Sequence, residues 1–165
     1  MPTVWSVFPD AHLLIAGGRT LFVEHLENLI HQLPKNQQDK VLLQVNFAND
    51  EKPCFFNAVD VFAYPSGFES FGIAFLEAWA CRKPVIGCWR GAIPWVVTAG
   101  RDGLLVGFRD QHALAEAVIL LLANPHWAQS MGEAGYLKVC ERYNWPEIAR
   151  RFREVYVAAI QRSSS

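Results

Sequence analysis

PSGFESFGIAFLEAWA, Pro65 to Ala80, is the stretch from which the rest of the chain can be read. The apolar run Val61–Tyr64 before it reads as a strand, and Pro65–Ser66–Gly67 breaks that run into a turn. A helix is predicted over Phe71–Cys81, with Glu69 directly ahead of it and Ser70–Phe71–Gly72 opening it. Gly72 lets a ligand approach the backbone closely, and the free N–H groups of a helix start attract an anion. A phosphate is the expected guest. Phe71, Phe75 and Trp79 recur at i, i+4 and are expected to face the core. Glu77 lies off that stripe in a very apolar helix; it either points to solvent or finds a partner, a sugar or ribose hydroxyl being the sharper reading.

Outward from this segment, short apolar runs alternate with longer amphipathic stretches. The runs His12–Ala16, Val41–Val45, Val61–Tyr64, Pro84–Gly87 and Leu104–Val106 are nearly continuous in apolar residues, as strands covered on both faces are. Helices are predicted at Leu21–Leu33, Lys52–Ala58, Phe71–Cys81, Ile93–Thr98 and Leu114–Leu122, then at His126–Arg142 and Pro146–Arg162. The alternation predicts one α/β domain over residues 1–162, a Rossmann-like parallel sheet with helices on both faces, followed by a disordered tail at Ser163–Ser165. Ligands of such sheets sit beyond the carboxyl ends of the strands. The loops that follow are Gly17–Arg19, Asn46–Asp50, Pro65–Ser70, Cys88–Ile93 and Gly107–Asp110.

Composition narrows the classes of function. The 165 residues are 52% hydrophobic and 19% charged with a formal net charge of −1, enough for one core and without the basic excess that nucleic acid requires. No nucleic-acid partner is expected, and membrane contact is at most peripheral. The apolar run Ala117–Ala123 falls far short of the ~20 residues that span a bilayer, and no basic-then-apolar leader is present, so a cytoplasmic location is expected. Six tryptophans are many for this size, and some are expected to face a cleft or a partner. Cys54, Cys81, Cys88 and Cys140 show no ligand spacing and read as buried thiols in a reducing compartment. The five histidines are scattered, so no metal site is expected. Gly17–Gly18–Arg19–Thr20 reads either as a phosphate loop or as a plain turn into a helix capped by Thr20.

ESFGIAFLE, followed by AWACRKPVIG, resembles the Glu, seven residues, Glu motif of the group 1 retaining glycosyltransferases. FPDAHLLIAGG resembles the strand that ends at that family's glycine loop. VLLQVNFANDEKPCFFNAVDVFAYPS resembles its next strand, a helix and the strand leading to the motif. RDGLLV, DQHALAEAVILLL and the helix after Trp145 complete an ordered series that covers nearly the whole chain.

The resemblance implies one lobe of the two-lobe GT-B architecture, the C-terminal lobe that holds the nucleotide-sugar donor. The full enzyme would move a sugar from a nucleoside diphosphate (UDP, GDP or ADP) to an acceptor with retention at the anomeric carbon. By the same resemblance Glu69 is the catalytic-site carboxylate that binds donor-sugar hydroxyls, and Glu77 bonds the ribose. Ser70, Phe71, Gly72 and Ile73 form the donor-binding turn, with amides of the last three on the diphosphate or sugar. Asn46 and Phe47 pack on the base, and Gly17 lies near the phosphates. Gly91 is the glycine kept in a further donor loop. No metal and no cofactor beyond the donor are implied.

Three departures qualify the pattern. The family's opening strand, with its glycine, Arg and Lys on the diphosphate, has no counterpart, so the lobe is expected to lack its first strand. The acceptor-binding N-terminal lobe is likewise expected to lie outside the chain. CWRGAIPWVV stands where the family has two glycines and Pro-Glu, with Ala92 for a glycine and Trp95 for the acid; Val45 replaces another glycine. The chain by itself is therefore expected to be inactive. The alternatives are a non-catalytic nucleotide-sugar-binding or assembly module derived from the same lobe, and, behind it, an epimerase or phosphorylase of this architecture.

Overall fold

In the computed structural model, residues 1–163 are described. Five short strands each run parallel to the strands they bond: β1 (Leu13–Gly17), β2 (Val41–Val45), β3 (Phe62–Ala63), β4 (Val85–Cys88) and β5 (Gly103–Val106). The helices are α1 (Pro2–Val7), α2 (Phe22–His31), α3 (Lys35–Gln38), α4 (Lys52–Ala58), α5 (Ile73–Ala80), α6 (Ile93–Val96), α7 (Gln111–Ala123), α8 (Pro125–Arg142) and α9 (Trp145–Ser163). The parallel α/β architecture is the one the apolar runs predict. Its ladders fall into two hydrogen-bonded sets, β1–β2 and β3–β4–β5. β1 and β2 pair from Leu13↔Val41 to Gly17↔Val45, and β4 and β5 from Val85↔Gly103 to Cys88↔Val106.

β4 is fully covered because helices press on both faces. Val85 belongs to a cluster with Phe75, Trp79, Ile93 and Val97, on the α5–α6 side. Ile86 joins Val106, Leu121, Ala128 and Met131, on the α7–α8 side. The fit of α8 over α5 depends on two glycines. A Cβ at Gly135 would stand 2.0 Å from Cδ1 of Trp79, and one at Gly132 would stand 2.0 Å from the Arg82 carbonyl oxygen. Trp79 is fixed from its other side, where its indole N–H donates to the Asp102 carbonyl at 2.8 Å.

Asp102, 1% exposed, is the buried charge that pins the far loop. Its Oδ1 accepts the Thr98 N–H at 2.8 Å, and its Oδ2 lies 2.5 Å from the Lys138 ammonium of α8. Lys138 also donates to the Val96 carbonyl at 2.7 Å and to Thr98 Oγ1 at 2.9 Å. Oδ2 makes no hydrogen bond, so the ion pair with Lys138 is what offsets the cost of burying this charge.

Several local expectations are corrected. Phe71 precedes α5 and is 38% exposed, with its ring edge-on to Tyr143 at 5.6 Å, so only Phe75 and Trp79 of the predicted stripe enter the core. The cysteines are all free, but only Cys88 is buried; Cys54 and Cys140 are exposed. Ser163, placed in the tail by the sequence, closes α9, and the rest of that expected tail, Ser164 and Ser165, lies outside the described residues. α1, α3 and the 3-10 turn Asn49–Glu51 are elements for which no range is predicted. No helix among the described residues is long and apolar enough to cross a membrane.

Candidate functional site

The loop from β3 into α5 is built around Gly72. It takes φ +93°, a left-handed conformation open to glycine, and its carbonyl accepts the Phe75 N–H at 3.0 Å. No side chain caps α5, and with the Phe75 N–H taken by the Gly72 carbonyl the remaining first-turn amides are those of Ile73 and Ala74. Ser70 and Ile73 are exposed on the same turn. Helix starts of this kind favour phosphate or carboxylate oxygens.

Glu69 is half-buried one turn ahead of that helix, and the neighbouring loop holds its backbone. The Ala92 N–H donates to the Glu69 carbonyl at 3.2 Å. Gly91, at φ +59°, packs so close that a Cβ there would stand 3.0 Å from the same oxygen. The structure thus brings the Glu69–Ile73 segment and Gly91 together through the loops after β3 and β4. Tyr64, at the end of β3, adds a phenol beside the carboxylate. Burial, then the hydrogen bond and charge of Glu69, raise its pKa above the ordinary 10.0.

Glu77 is a half-buried carboxylate with a cation already in place. Lys52 of α4 donates to its Oε1 at 2.9 Å, with both side chains about one-third exposed. This ion pair links α5 to the helix that follows the Asn46–Phe47 loop. Gly17 and Asn46 meet at the carboxyl ends of β1 and β2: the Asn46 N–H donates to the Gly17 carbonyl at 3.0 Å, and Asn46 Oδ1 accepts the Arg19 N–H at 2.8 Å. Asn46 holds φ +58°, which its short polar side chain tolerates. Phe47 packs edge-on against Phe55 at 4.7 Å. Thr20 is not the N-cap that one of its two readings makes it: Leu21 holds that position with no side-chain cap, and the Thr20 hydroxyl accepts the Phe22 N–H at 3.3 Å.

The sequence reading missed Tyr64 and Lys52 as site neighbours, and it missed an aromatic cation pair on the rim. The Arg90 guanidinium stacks over Phe108 at 4.4 Å, and a Cβ at Gly67 would stand 2.3 Å from Cε2 of the same ring. These pairs join residues far apart in sequence, such as Lys52 and Glu77, so no local spacing marks them. Trp95 is 89% exposed, the most exposed tryptophan beside this edge. A cavity of about 390 Å³ adjoins Gly17 between β1, β2 and α2; neither it nor a larger one of about 640 Å³ includes Glu69 or Glu77.

The family model of glycosyl transferases, group 1, matches residues 1–138. Over 157 residues the chain is 33% identical to the alpha-maltose-1-phosphate synthase of Mycolicibacterium smegmatis, covering 90% of this chain and 41% of that protein. It is 34% identical over 147 residues to the D-inositol 3-phosphate glycosyltransferase of Xylanimonas cellulosilytica, covering 89% and 34%. Among solved structures, the sucrose-phosphate synthase of Thermosynechococcus elongatus superposes with a TM-score of 0.84 at 29% identity, covering 98% of this chain and 41% of that one. The chain thus spans about two fifths or less of the length of these relatives.

Proposed function

From its membership of the group 1 glycosyl transferases, we propose that this chain is the donor-binding lobe of an enzyme that moves a sugar from a nucleoside diphosphate to an acceptor. The observation that carries the reading is the turn at Gly72, where uncapped amides of α5 lie beside a Glu69 held in place by Ala92 and Gly91. The turn's amides take diphosphate oxygens, and Glu69 bonds hydroxyls of the donor sugar. Glu77, oriented by Lys52, takes the ribose, while Asn46 and Phe47 border the base and Gly17 the phosphates. In the full enzyme the bond from the anomeric carbon to the diphosphate breaks and the acceptor oxygen replaces it on the same face. Negative charge builds on the leaving diphosphate, and donors fixed in advance stabilise it. The reading includes no metal, a cytoplasmic site of action supported by four free cysteines, and an acceptor lobe contributed by polypeptide outside this chain.

A second reading, a non-catalytic binding module, is favoured by the exposed Trp95 where the family carries an acid. Calorimetric titration with UDP, GDP and ADP and their sugar conjugates tests the donor reading. One nucleotide is expected to bind saturably, and Glu77→Ala is expected to weaken it about ten-fold, close to 1.4 kcal/mol. Binding untouched by that substitution removes the ribose role, and no binding at millimolar concentration removes the donor site.

A further inference from the structure

The rim beside Glu69 carries the guanidiniums of Arg90 and Arg109 together with the exposed rings of Phe68, Trp89 and Trp95. We propose that it is a binding subsite for an anionic sugar, a saccharide ring bearing a phosphate or a carboxylate. In the reaction of the donor-binding lobe that guest is the acceptor.

The loops after β3, β4 and β5 converge on this rim. Gly91 and Ala92 pack on the Glu69 carbonyl, so Phe68 and Arg90 stand one residue from that contact on their respective loops. Arg90 reaches across to the β5 loop, where its guanidinium lies 4.4 Å from the centre of the Phe108 ring, and that of Arg109 lies 5.2 Å from the same centre. Among the described residues, neither guanidinium has a carboxylate partner. The neighbouring carboxylate, Asp110, instead accepts the Ala113 N–H at 2.9 Å as the cap of α7. Stacking uses the flat face of a guanidinium and leaves its edge N–H groups to bond an anion. A fork oriented before binding loses less freedom when a phosphate or carboxylate arrives. Arg109 also holds φ +61°, a strained conformation of the kind that collects at ligand sites.

The aromatic rings supply the rest of the match. Phe68 is 88% exposed and Trp89 61%, on the loops that meet at Glu69, and Trp95 projects from α6 just beyond. Large rings gathered in water mark a surface that receives a guest. With two unpaired cations beside them, the guest they fit is both partly apolar and negatively charged. A saccharide ring meets both demands: its C–H face lies on an aromatic ring, its hydroxyls stay in water and its anionic group meets the arginines. A nucleic acid does not fit, because the chain carries a formal net charge of −1 and this rim is too small a basic patch to track a polyanion. A sugar held here lies next to Glu69, the carboxylate assigned to the donor sugar, as the acceptor of a transfer must.

Calling the guest an acceptor rests on the donor-lobe reading; the binding of an anionic sugar by this rim does not. The test titrates the isotope-labelled chain at constant ionic strength with glucose 6-phosphate, glucuronate, glucose and inorganic phosphate. It reads the indole N–H signals of Trp89 and Trp95 and the amide of Arg90. At least one charged sugar is expected to shift them saturably, about ten-fold more tightly than glucose or inorganic phosphate, and the tighter of the two names the anion. Arg109→Gly removes one guanidinium at a φ that suits glycine, so Tm is expected to hold while that binding weakens about ten-fold. Trp95→Ala, on the surface of α6, is expected to weaken it too, read at Trp89. No saturable shift with either charged sugar overturns the proposal, as does equally tight binding of glucose or of inorganic phosphate. Binding that survives both Arg109→Gly and Arg90→Gln unchanged also overturns it. The donor reading is scored separately, by the response of Gly72 and Asn46 to UDP, GDP and ADP, so either can fail while the other stands.

Discussion

At the scale of single residues, Gly72 carries the steepest demand. It sits at φ +93°, and a Cβ there would stand 2.7 Å from Cδ2 of Phe75. Gly72→Ala is expected to cost about 1–3 kcal/mol of stability, read as a lower Tm, and to displace the α5 amides from the site. Tyr64 reports on Glu69 without any ligand. The carboxylate helps to hold the phenol above its ordinary pKa of 10.0, so Glu69→Gln is expected to shift the ultraviolet titration of Tyr64 downward. An unchanged titration would separate the two side chains. The place of Glu69 and Gly72 ahead of a helix was legible in the sequence because a strand, a turn and a helix start follow one another within a few residues, whereas Gly91 was named only through the family resemblance. Lys52 was not, because its pairing with Glu77 exists only after α4 and α5 pack.

At the scale of elements, β2 and α4 occupy the ranges their sequence patterns predict, Val41–Val45 and Lys52–Ala58. β3 shortens to Phe62–Ala63, because strand length is set by where pairing with β4 stops and not by where apolar residues stop. The α5–α8 contact was invisible to periodicity, which does not show that Gly132 and Gly135 admit a neighbouring backbone and a ring. Gly135→Ala drives a methyl into Trp79 and is expected to destabilise the fold by about 1–3 kcal/mol, measured by denaturant unfolding. α9 is held partly by its own charges. Arg150 and Arg151 bond Glu147 and hold its pKa at about 2, below the ordinary 4.5. Those ion pairs contribute in full above pH 4.5 and are lost as the pH falls toward 2. Circular dichroism is expected to show a loss of helicity over that window, smaller in Glu147→Gln.

At the scale of the whole molecule, the layers were legible because parallel strands buried on both faces leave nearly continuous apolar runs. The division of the ladders into two sets was not, since hydrogen bonding between strands is a long-range property that no window of sequence contains. Asp102 and Lys138 tie α8 to the loop after α6, so Lys138→Met strands a buried carboxylate and is expected to cost about 3–5 kcal/mol, read by thermal unfolding. The central claim, a donor site along the carboxyl edge of the strands, is tested most directly by amide chemical-shift mapping of the labelled chain with UDP, GDP and ADP in turn. The account predicts that one of them shifts Gly72, Ile73 and Gly91 together with Gly17 and Asn46, saturating at a single affinity. Shifts confined to the cavity around Val61 and Pro84, or none with any of the three, would contradict it.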